Sequence, residues 1–115
     1  MSIDLNTLKQ RLREFADERD WNQFHSPKNL SMALSVEVAE IVEHFQWLSE
    51  EQSNNLSQSK LAEVEAELAD TFVYLIRLAD KLNIDLFAAT ERKIAINELK
   101  SVSYTHLTLP TTPYV

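Results

Sequence analysis

Two acidic pairs at a spacing of three carry the most chemistry in this chain: Glu37 with Glu40, and Glu67 with Asp70. Residues three apart project from one face of a helix. If the two helices pack antiparallel, four carboxylates converge on one point. Crowded carboxylates repel and raise one another's pKa. A hard divalent cation removes the conflict. Mg²⁺ prefers oxygen ligands, keeps several waters and bridges readily to substrate phosphates. The four acids therefore point to a Mg²⁺ site, with Mn²⁺ as a possible substitute, acting on a phosphorylated small molecule.

The helical pattern around each pair supports this reading. At about 100° per residue, Glu37 falls among Leu30, Ala33, Leu34 and Leu48, and Glu40 among Ala33, Val36 and Trp47. Glu67 and Asp70 share a narrow sector with Glu63 and Tyr74 on an otherwise apolar helix. A buried carboxylate without a partner costs several kcal/mol, so acids set in apolar sectors need one. The competing reading is a solvated acidic face on a non-catalytic dimerisation module, since Glu at i, i+3 is common on exposed helices. A di-iron bundle is disfavoured because His25 and His44 lack the Glu-x-x-His partner such sites use. Trp21, His25, Trp47 and Tyr74 could edge a nucleobase or serve as core. Lys93 and Asn97, one turn apart, could contact phosphate oxygens.

The elements that must position these residues read as helices. The chain has 115 residues, no glycine and no cysteine. Tight hairpins favour glycine, so its absence speaks for an all-α fold. The absence of cysteine removes disulfides, thiolate metal sites and cysteine nucleophiles. A net charge of -7 argues against a nucleic-acid polymer as partner. No apolar run approaches membrane-spanning length, and the first residues do not read as a signal peptide, which points to the cytoplasm.

Apolar periodicity predicts helices over about 4–20, 28–50, 59–82 and 86–100, with a loop at Trp21–Pro27 and a polar connection over 51–58. The third of these is apolar over most of its circumference, as expected of a central, buried helix. Asn83-Ile84-Asp85 reads as a stop followed by an N-cap. Residues 1–100 form one domain in this reading. Residues 101–115 hold no Lys, Arg, Asp or Glu, four threonines and two prolines. They read as an extended or disordered tail whose composition suits a cloning junction.

Several stretches resemble the MazG-like nucleoside triphosphate pyrophosphohydrolases, of the all-α NTP pyrophosphatase superfamily. Glu37-x-x-Glu40 with Glu67-x-x-Asp70 is similar to the signature of that family. Residues 19–30 (RDWNQFHSPKNL), 45–51 (FQWLSEE) and 67–80 (ELADTFVYLIRLAD), with Lys93-x-x-x-Asn97-x-x-Lys100, resemble its deoxycytidine-triphosphate branch. The resemblance covers about residues 10–100. It implies a four-helix bundle working as a homodimer or homotetramer, and Mg²⁺-dependent cleavage of a nucleoside triphosphate to the monophosphate and pyrophosphate in nucleotide-pool house-cleaning. It further implies that Glu37, Glu40, Glu67 and Asp70 bind the metal and carry catalysis. Trp21, His25, Trp47 and Tyr74 would line the base pocket, and Lys93, Asn97 and Lys100 would face the phosphates. The family commonly continues with Tyr-Pro and a basic tail after the position of Lys100. Here Ser101-Val102 and an uncharged segment follow.

Overall fold

Every α-helix among the described residues starts on a side chain suited to the task. Asp4, Ser26, Ser49, Ser57 and Asp85 each accept a hydrogen bond from the backbone N–H three residues on, at 2.7–3.2 Å. The computed structural model describes residues 3–103, with side chains through Lys100. It shows α1 (Leu5–Glu18), a 3₁₀ turn (Trp21–Phe24), α2 (Pro27–Phe45), the one-turn α3 (Glu50–Ser53), α4 (Gln58–Lys81) and α5 (Leu86–Ser103), with no strand among the described residues. The chain divides after Asn83 into two units, the first carrying α1–α4 and the second α5.

Without glycine, the chain turns on residues that tolerate the left-handed region. Asp20 and Asn83 both adopt φ 56°. Their short polar side chains make them the least costly non-glycine residues there. Asn83 ends the α4 segment, and Asp85 opens α5, as the Asn-Ile-Asp reading expects.

Three boundaries differ from the periodicity. The predicted 28–50 helix stops at Phe45. Ser49 and Gln52 form a reciprocal capping box, Ser49 N–H to Gln52 Oε1 at 2.9 Å and Gln52 N–H to Ser49 Oγ at 3.1 Å. That pair satisfies the amides needed to start a separate turn inside the expected polar connection. The expected loop after Trp21 contains a 3₁₀ turn. Finally, α5 runs through Ser103, three residues into the segment read as tail. No proline interrupts it there, and a continued helix satisfies its own carbonyls. Residues 104–115, with the rest of that expectation, lie outside the described residues.

Within the first unit, α2 and α4 form the main packing pair, and α1 packs against α4. Lys60 Nζ, at the start of α4, donates to His44 Nδ1, at the end of α2, at 3.3 Å. Glu37 meets Glu67 farther along, so the two helices run antiparallel. Leu30 and Ile76 are the largest fully buried side chains, with Ala16 and Val64 beside them in the core. The expectation that α4 is buried all round is corrected. Leu61, Leu68, Leu75 and Leu82 recur every seven residues and stay exposed, Leu61 at 54% and Leu68 at 53%. α4 meets α1 and α2, and this apolar stripe stays exposed among the described residues of the first unit.

Asp80 ties α1 to α4. Arg13 grips it with both arms of its guanidinium, Nε to Oδ2 at 2.7 Å and the terminal nitrogen to Oδ1 at 2.5 Å. Arg77 lies 3.9 Å from the same carboxylate. The Arg13 guanidinium holds the Asp80 carboxyl below its ordinary value of 3.8. The pair therefore contributes fully above that value and is lost as pH falls through the lower folded value. Asp80→Asn should cost about 1.5–3 kcal/mol at neutral pH, the worth of hydrogen bonds to a charged group. Urea unfolding of both proteins at pH 7 and pH 3 checks this, with the gap narrowing at the lower pH.

Candidate metal centre and its cleft

Antiparallel packing of α2 on α4 does what the acidic spacing requires. One carboxylate oxygen from each of Glu37, Glu67 and Asp70 falls within 4.8 Å of the other two. Glu37 and Glu67 are half-buried and Asp70 is exposed. Glu40, one turn along α2, stands outside this tight triplet yet close enough to raise both glutamates.

Electrostatics record the conflict. Burial, followed by the neighbouring Glu40, Glu67 and Asp70 carboxylates, pushes the Glu37 carboxyl up to about 7. Glu67 is also raised, first by Glu40 and then by burial. Glu37 Oε2 and Glu67 Oε2 are shielded from solvent and have no hydrogen-bond partner among the described residues. Native proteins rarely leave such atoms unsatisfied. All the donors are carboxylate oxygens, and two of them lack a proton donor. That set fits a hard divalent cation. Glu63, a conceivable fifth acid, is instead exposed and pairs with Lys60 at 3.4 Å.

The triplet opens on a cleft. A cavity of about 260 Å³ is lined by Trp21, His25, Glu37, Asp70, Val73, Tyr74 and Arg77. A second, of about 300 Å³, shares Trp21, His25, Asp70, Val73 and Arg77 and extends to Leu12, Phe15 and Ala16 of α1. Trp21 stands edge-on to Phe15 at 5.2 Å and tilts toward His25 at 5.9 Å between ring centres. Three of the four expected base-pocket residues, Trp21, His25 and Tyr74, thus share one apolar-walled space with two of the acids.

Trp47 does not join them. It is 87% exposed in the turn after α2 and lines neither cavity. Lys93, Asn97 and Lys100 lie on α5, in the second unit, at i, i+4 and i+7. The residue that sequence reasoning missed is Arg77. It is only 4% exposed, and it lines both cavities. Its charge sits inside an apolar helical stretch (YLIRLAD), and that misplacement is the signal that could have found it.

Comparisons with known proteins identify the family. A profile of the MazG-like family matches residues 32–106. The human protein dCTP pyrophosphatase 1 is 40% identical over 95 residues, which span 81% of this chain and 56% of the relative. The bovine protein of the same name gives the same identity and shares. The chain thus spans about half the length of the curated relatives it matches. Among solved structures, a pyrophosphatase from Archaeoglobus fulgidus DSM 4304 is 40% identical, with a TM-score of 0.80 over 87% of this chain and 94% of that one. With the family profile, the 40% identical relatives and the all-helical fold, the chain belongs to the MazG-like family.

Proposed function

We propose that this protein is a Mg²⁺-dependent nucleoside triphosphate pyrophosphohydrolase. It would convert an NTP or dNTP, of the dCTP type by analogy with the names of its relatives, to the monophosphate and pyrophosphate. The observation that carries the reading is the carboxylate triplet Glu37, Glu67 and Asp70 opening directly on an aromatic cleft. A cation site alone would suit many proteins. A cation site beside a flat, apolar, aromatic space suits a nucleotide, whose phosphates need the charge and whose base needs the stacking.

Glu37, Glu67 and Asp70, with Glu40 beside them, would hold the cation. Bound there, Mg²⁺ supplies charge neutralisation for the triphosphate and lowers the pKa of a water. Trp21 and Tyr74 exclude bulk water from the base side and orient the nucleoside. Glu40, near the triplet without belonging to it, would accept the proton of the water attacking the α-phosphorus. Lys93, Asn97 and Lys100 would face the phosphates, as the family resemblance implies. The exposed Leu61, Leu68, Leu75 and Leu82 stripe supports a homo-oligomer. Apolar repeats of seven residues are the pattern by which helices pair, and a small helical domain gains by covering them.

Three outcomes test this reading. The product is the most direct: with Mg²⁺, chromatography should find monophosphate and pyrophosphate as the primary products. Diphosphate and orthophosphate would mean attack at another phosphorus and would refute it.

The second concerns the cation. The folded, cation-free Glu37 titrates at about 7 against an ordinary 4.5. The cation-free fold is therefore most stable below 4.5 and loses stability as pH rises toward 7. Glu67→Gln relieves the repulsion. In chelator at pH 8 it should melt higher than the wild type, with the difference gone at pH 4. Mg²⁺ should raise the wild-type melting temperature but not that of the variant, and turnover should vanish in the variant. Equal Mg²⁺ shifts in the two proteins would favour the solvated acidic face.

The third concerns the base. Trp21→Ala should raise KM and flatten discrimination among bases by about 1–3 kcal/mol, the worth of one stacking contact. A panel of nucleoside triphosphates assayed on one preparation reads both effects.

A further inference from the structure

Arg77 is a permanent cation buried at the wall shared by both cavities. One terminal nitrogen donates to Asn22 Oδ1 at 2.9 Å and lies 3.5 Å from His25 Nδ1. Lys81 Nζ donates to the same Asn22 oxygen at 3.3 Å. Asn22 Nδ2 in turn donates to Asp17. Arg77 Nε has no hydrogen-bond partner among the described residues. Leaving a buried donor unpaired is costly, so stability alone does not account for an arginine at this position. Besides the Asp80 carboxylate at 3.9 Å, it faces Asn22 in the 3₁₀ turn that also carries Trp21 and His25 at the end of that turn.

A guanidinium can only donate. A ring nitrogen facing it must be an acceptor, which places the imidazole proton on the other nitrogen. We propose that Arg77 is a positioning residue of the base pocket: it holds His25 in the Nε2–H form and pins the turn at Asn22, so that the cleft presents a fixed donor beside Trp21. The proposal rests on the nucleotide reading above. The substrate class it adds is a nucleobase that offers an acceptor, a carbonyl oxygen or an unprotonated ring nitrogen, to that donor.

The electrostatic setting agrees. Burial, then the charges of Arg77 and Lys81, lower the His25 pKa, which keeps the ring neutral. Asp70 lines both cavities and Glu37 lines one of them.

Nitrogen-15 NMR of the imidazole side chains in the cation-free protein reads the tautomer without any assay. The wild type should show His25 with Nδ1 unprotonated and Nε2 protonated. Arg77→Met should mix the tautomers. It should also raise KM for the preferred nucleotide about fivefold, the worth of one hydrogen bond, with kcat little changed and base ranking flattened. Arg77→Lys, which keeps a charged donor, should restore the Nε2–H signal. A wild-type His25 protonated on Nδ1 would overturn the proposal, as would an Arg77→Met protein with unchanged tautomer and base ranking. Should Arg77→Met fail to fold, the wild-type spectrum decides alone. An Nε2–H spectrum in a protein that hydrolyses no nucleoside triphosphate would refute the functional reading and leave the positioning of His25 standing.

Discussion

The antiparallel contact between α2 and α4 is the constraint on which the site depends. It sets Glu37 against Glu67 and Asp70 with one oxygen of each within 4.8 Å. Three or four carboxylates at that range repel unless a proton or a cation intervenes. Packing energy from Leu30, Val64 and Ile76 holds the helices together despite this. The conflict lies where a bound cation would relieve it, and without one it lowers stability.

A second polar system supports the other side of the cleft. Arg13 and Arg77 converge on Asp80, and Arg77 reaches on to Asn22 and His25. The 3₁₀ turn from Trp21 to Phe24 has little regular structure of its own to fix it. Its contacts with α4 and the edge-on Phe15–Trp21 pair give it a defined place. A cleft wall formed on a short turn needs such bracing, because loops are otherwise the more mobile part of a fold.

The apolar stripe along α4 explains why so small a unit leaves so much of its surface greasy. Leu61, Leu68, Leu75 and Leu82 are spaced for a helical partner. At about 100° per residue, the site acids of α4, Glu67 and Asp70, lie outside this stripe.

Much of this was legible in the residues. The acidic pairs, their apolar sectors, the helix start at Asp85 and the stop at Asn83 follow from local rules: periodicity, capping and left-handed tolerance act within a few positions. Other features were not legible. The capping box at Ser49 split a helix that periodicity ran through, because a local hydrogen-bond exchange outweighed the apolar pattern. Trp47 shared a helix face with Glu40 on paper, but the helix ended before it, and the side chain turned to solvent. Arg77 looked like a charge stranded in an apolar run until folding brought Asn22 and His25 beside it from more than fifty positions away in the chain. The sequence by itself determined which residues could bind a cation and where the helices begin. Only the tertiary structure decided which of them meet, because contact between distant positions is set by how helices pack, and spacing along the chain carries no record of it.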